Sequence, residues 1–140
     1  MKRLLLVLAV GCQTKAPPPK AVTELRVPLP DGWTASGSND RLLAGPKGRS
    51  VVSFESKTAE LPPVAALVAA VEAQKATGIE RIEGPQFVAA RYTLDAREAF
   101  VGVKTVGART VWCASLPAAT DEEVTACLGL CRDIKPRPDE

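Results

Sequence analysis

Histidine is absent from the 140 residues, aromatic side chains make up only 4%, and there is a single Tyr. The first absence removes every mechanism that depends on imidazole: Ser-His-Asp and Cys-His nucleophile pairs, and zinc sites with His ligands. A bilayer-spanning run is missing as well. The apolar stretch at Leu4–Gly11 is far short of the roughly 20 residues that cross a membrane. Charge of one sign is also scarce. Lys2 and Arg3 account for the whole excess of 18 basic over 16 acidic residues, so the chain without its first residues is balanced and has no basic field for nucleic acid. The length fits one domain, since a single core usually takes about 100–150 residues.

What is present at the N-terminus is a short positive region, an apolar run and a small residue, the pattern of a secretory signal. The junction Ala9-Val10-Gly11-Cys12 resembles the lipobox of bacterial lipoproteins, in which a small residue precedes an invariant cysteine. It departs from that pattern at Ala9, where Leu is commonest; Leu8 stands one step earlier. The resemblance implies that Cys12 carries a diacylglycerol on its sulfur, that the chain is cut after Gly11, and that the new amine takes a fatty acid such as palmitate. Several acyl chains anchor stably where one is marginal, at about 0.8 kcal/mol per buried methylene. Gln13 in place of Asp after the cysteine favours, by the same resemblance, the periplasmic face of the outer membrane. Residues 13–20 contain the triple proline Pro17-Pro18-Pro19 and no large apolar side chain. They read as an extended tether. The expected map is a signal over 1–11, lipidated cysteine and tether over 12–21, one domain over 22–135 and a polar tail over 136–140.

From Val22 the apolar pattern turns to period two, first at Val22–Leu29, then beyond the turn Pro30-Asp31-Gly32. Further strands are expected at Trp33–Ser36, Arg41–Ala44 and Ser50–Ser56, separated by turn residues that preset φ or accept positive values. Val64, Leu67, Val68 and Val71 then repeat at helical spacing, with prolines at the entry and Gly78 at the exit. Strands resume at Ile79–Glu83, Phe87–Leu94, Ala99–Val106 and Arg109–Leu116, the last three joined by hairpin-length connections into an antiparallel meander. Thr120 and Glu123 have the capping-box spacing. They open a second helix over Asp121–Asp133, with Val124, Cys127, Leu128 and Cys131 on one face.

This order argues for an α+β domain, an antiparallel sheet covered by two helices. The start Val27-Pro28-Leu29-Pro30-Asp31-Gly32-Trp33, the mid-chain helix, the long meander and the closing helix also resemble the PsbP-like families, including DcrB-like small lipoproteins. That resemblance implies a helix–sheet–helix sandwich used as a binding or assembly module, and it supplies no catalytic residues.

With Cys12 lipidated, Cys113, Cys127 and Cys131 remain, in a compartment where disulfides persist. The closing helix must fold back over the strand holding Cys113. Strand rise of about 10 Å from Cys113 to Leu116 matches helix rise of about 9 Å from Asp121 to Cys127. The arithmetic favours Cys113–Cys127, with Cys131 as the alternative partner about one turn further along. A soft-metal site would need all three sulfurs within about 4 Å of each other, and a redox thiol favours a helix N-terminus. Neither fits the spacing, so a structural bridge plus a buried thiol is expected, with no metal and no cofactor.

Asp121-Glu122-Glu123 suits the positive end of a helix better than acid catalysis. Gly45–Ser50 lacks the spacing of a phosphate loop and reads as a turn. Trp33, just after a turn, is the aromatic candidate for ligand contact, while Trp112 is expected beneath the first helix. The functional expectation is a non-enzymatic envelope lipoprotein that binds the membrane through its lipid and an envelope protein through its domain. The alternative is an inhibitor of an envelope enzyme, or an enzyme of unrecognised type, which a cleft lined by paired acids would favour.

Overall fold

The structure is a computed structural model that describes residues 27–37 and 41–135. The elements run β1 (Trp33–Gly37), β2 (Arg41–Pro46), β3 (Val52–Lys57), α1 (Val64–Glu72), β4 (Thr77–Gly84), β5 (Phe87–Leu94), β6 (Arg97–Val106), β7 (Arg109–Ser115) and α2 (Asp121–Arg132). All seven strands form one antiparallel sheet in the order β1-β2-β3-β7-β6-β5-β4. The expected meander is present and gains β4 at its outer edge. The fold class is α+β, as the order of elements implies.

Alternation along the strands sends residues to two separate cores. Phe87 and Ala89 of β5 join Phe54, Phe100, Val111 and Cys113 under α2, which adds Val124, Cys127, Leu130 and Cys131. Val88, Ala90 and Tyr92 of the same strand join Val103 on the opposite face, under Val64, Leu67 and Val71 of α1. One helix therefore covers each face of the sheet. The crossover carrying α1 links β3, in the middle of the sheet, to β4 at its edge, and α1 rests on β4 and β5.

Three departures from the sequence pattern have local causes. No strand forms over Val27–Leu29; the Leu29 amide donates to the Val27 carbonyl at 2.8 Å, a tight turn about Pro28 that diverts the donor from any ladder. The rest of that expected strand, 22–26, lies outside the described residues, as do 1–21 and 136–140. The first helix closes earlier than Gly78. Lys75 takes φ +70°, its amide donates to Glu72, and the Ala76 amide donates to Val71, the paired bonds of a Schellman motif. Gly78, at φ +59°, lies instead where the β4–β5 register shifts. On α2, Leu130 is buried and Leu128 only partly so.

Turn chemistry fixes the meander. Gln86 after Pro85 has φ +57°, the sign required at the third position of a type II turn. Asp95 and Ala96 have φ +53° and +65°, the pair of positive values of a type I′ hairpin, whose twist matches that of the strands it joins.

Candidate functional site

Cys113 of β7 is bonded to Cys131 of α2, with Cα atoms 6.1 Å apart, and Cys127 is a buried free thiol. The favoured pairing with Cys127 is thereby corrected to the alternative. The rise arithmetic laid the helix directly above β7 and level with its end. In fact α2 lies mainly over β6, and the Leu116–Thr120 connection intervenes, so the helix meets Cys113 one turn later. Glycine at position 102 makes the later meeting possible. Gly102 pairs with both Ala89 and Cys113 in the sheet, and a Cβ there would stand 3.5 Å from the Cys131 sulfur and 3.3 Å from the Ala89 Cβ. The missing side chain leaves the room that the disulfide fills.

Burial pushes the Cys127 thiol up to about 12, and the Glu123 carboxylate adds to the shift. A thiol held protonated and out of solvent is a packing group, not a nucleophile. Cys12 lies outside the described residues.

At the start of α2 the capping box is complete. The Glu123 amide donates to Thr120 Oγ1 at 3.2 Å, and the Thr120 amide donates to Glu123 Oε1 at 2.9 Å. Arg49, from the turn after β2, donates to both oxygens of Glu123 at 2.7 and 2.6 Å and to the Ala118 carbonyl at 2.8 Å. These hydrogen bonds, led by that from Arg49, hold the Glu123 carboxyl down to about 2. The acidic first turn thus serves as a cap and as the anchor of a bidentate clamp. The Gly45–Ser50 stretch holds the last two residues of β2 and a turn at Lys47-Gly48, and it supplies the clamp's other half. The sequence gives no local sign of this pair, since its members stand 74 positions apart.

A second polar tie lies between the sheet and α2. Arg91 of β5 donates to Glu98 Oε1 at 2.9 Å and to Thr125 Oγ1 at 2.7 Å, while Thr93 donates to Glu98 Oε2 at 2.9 Å. Arg91 and Thr93 hold the Glu98 carboxyl below its ordinary value. Beside this tie, around the β5–β6 turn, opens a cavity of about 500 Å³ walled by Tyr92, Leu94, Ala99 and Leu116 and bordered by Asp95 and Arg97. Glu98 also lines it but is already engaged, so the wall does not present a free pair of acids. Tyr92 was missed by sequence reasoning. The signal available was the chain's only tyrosine at an inward-facing position of a strand otherwise lined by Val and Ala.

Trp33 is half-buried and packs against the α2-side core, while the rest of β1 is exposed. Part of its ring area is therefore committed to folding. Trp112 reaches the α1-side core but is not enclosed. Its Nε1 donates to Thr110 Oγ1 at 3.1 Å, and Lys57 Nζ sits 4.3 Å from the ring centroid, a cation–π geometry. Among the described residues no cluster of His, Cys, Asp and Glu has the makings of a metal site, and no helix is long and apolar enough to cross a membrane. Comparison with known proteins finds no matching family model, no matching curated protein and no matching solved structure.

Proposed function

We propose that the protein is an envelope lipoprotein, anchored through acylated Cys12 at the periplasmic face of the outer membrane, whose domain acts as a non-catalytic binding or assembly accessory. The observation that carries this reading is the junction Ala9-Val10-Gly11-Cys12 behind Lys2-Arg3 and an apolar run. Two further features support it. A disulfide between Cys113 and Cys131 suits an oxidising compartment. The proline-rich segment before Val22 is long enough, at about 3.1 Å per residue, to hold a small domain clear of a membrane surface. The PsbP-like resemblance of the mature domain belongs to the same proposal, with a protein of the envelope as the partner.

The test is fractionation of cells expressing the Cys12→Ser chain. The expected result is release of the protein from the membrane fraction together with loss of the lipid-dependent mass increment. Unchanged membrane association would overturn the anchor and, with it, the assignment to a lipoprotein.

A further inference from the structure

The cavity at the β5–β6 turn has a tyrosine in its wall. Tyr92 is 8% exposed and lines the cavity, yet its hydroxyl has no hydrogen-bond partner among the described residues. A tyrosine hydroxyl can both donate and accept, so it can bond to a molecule in the cavity. Burial pushes the phenol up from its ordinary value, and at neutral pH a tyrosine is protonated and able to donate in any case. Leu94, Ala99 and Leu116 supply the apolar part of a mixed wall that also includes Ser115 and Pro117, and the volume of about 500 Å³ lies within the range of small-molecule sites.

The charges at the rim are of both signs. Glu98 is occupied by Arg91 and Thr93. Asp95 and Arg97 flank the turn, border the cavity and form no ion pair with any described residue. Arg97 donates through Nη1 to the Pro117 carbonyl, a bond that uses only one of its five N–H groups. A carboxylate and a guanidinium with no ion-pair partner among the described residues, at the mouth of a partly apolar cavity with a hydroxyl donor in its wall, complement a ligand that carries an ammonium, a carboxylate, an apolar body and an acceptor oxygen.

We infer that this cavity is a binding site for a small zwitterion with an apolar body, of the size of an apolar amino acid or dipeptide. The ligand's ammonium pairs with Asp95, its carboxylate with Arg97, and in a dipeptide the peptide carbonyl accepts from Tyr92. The inference goes beyond the proposed anchoring and does not depend on Cys12, so the two can fail separately.

The single tyrosine provides the readout, because full-length protein carrying ¹³C at the tyrosine Cζ gives one resonance from inside the site. It is titrated with leucyl-leucine, with N-acetyl-leucyl-leucine, with leucyl-leucinamide and with leucine. A saturable shift with leucyl-leucine is expected, and either blocked dipeptide binds about tenfold more weakly. A response to leucine as strong as that to leucyl-leucine assigns the site to free amino acids; a weaker one assigns it to dipeptides. Asp95→Asn, which Asn tolerates because the position needs positive φ, weakens leucyl-leucine to the level of its N-acetyl form and leaves the N-acetyl form unchanged. Absence of any saturable shift overturns the site. Equal affinity for free and blocked dipeptides, or sensitivity to blocking at one end only, overturns the zwitterion.

Discussion

Ala96 sits at φ +65° in the β5–β6 turn, where a Cβ costs about 1–2 kcal/mol relative to the right-handed region. Glycine removes that clash and returns part of the gain as unfolded-chain entropy. Ala96→Gly is therefore expected to raise stability to urea by about 0.5–1 kcal/mol. Ala108→Gly is the control, since Gly107 already supplies the positive φ of the β6–β7 turn and Ala108 does not adopt one; it should gain nothing. The cysteines separate by role just as sharply. Cys113→Ala and Cys131→Ala each break the bond and should cost about 2–5 kcal/mol, whereas Cys127→Ala leaves it intact and should cost about 1 kcal/mol. Non-reducing peptide mapping joined to denaturant unfolding checks both statements, and a Cys127 effect as large as that of Cys131 would restore the other pairing. At this scale the sequence is readable where chemistry is local. Thr120 and Glu123 announce their bond by spacing alone. The choice between Cys127 and Cys131 was not readable, because it turns on the strand beneath the helix and on the space at Gly102, neither of which spacing encodes.

At the scale of elements, strand and helix positions follow the apolar period closely: Phe87–Leu94 is a strand as its alternation demands, and α2 begins at its cap. The ends are less legible. The stop of α1 depends on Lys75 accepting a left-handed conformation that glycine would have advertised. No strand forms over Val27–Leu29, because alternation says nothing about where amide donors go, and the Leu29 amide beside Pro28 closes a local turn. The joint between the β2–β3 turn and α2 has a pH signature. Glu123 is held at about 2 in the folded protein, against 4.5 as its ordinary value. A depressed folded pKa stabilises above the unfolded value, and the benefit is lost as pH falls from about 4.5 towards 2. Glu123→Gln keeps a capping-box partner while removing the charge. It should be less stable than the wild type at pH 6, and the gap should close as acid titrates Glu123, which urea unfolding at several pH values will show. Arg49→Gln should abolish most of the same pH dependence.

For the whole molecule, two cores on opposite faces share one sheet, and Val27 and Leu29 pack against the α2 side from outside the strands. A chain beginning at Val22 should keep a cooperative thermal transition, while one beginning at Asp31 should lose about 1–3 kcal/mol, in line with partial burial of two aliphatic side chains. Calorimetry of the two decides it. The layered class was legible from the order of elements. The sheet order was not, because β3 and β7 pair across a separation that no local pattern marks. That order bears on how the polypeptide reaches its native state as it is delivered from one end. β7 is the central strand of the sheet and nearly the last to arrive, with β1–β3 on one side and β4–β6 on the other. Without residues 109–115, β1–β3 and β4–β6 share no strand pairing. Pairing of this range is slow, since loop closure precedes its reward, so the sheet closes only after residues 109–115 have been released.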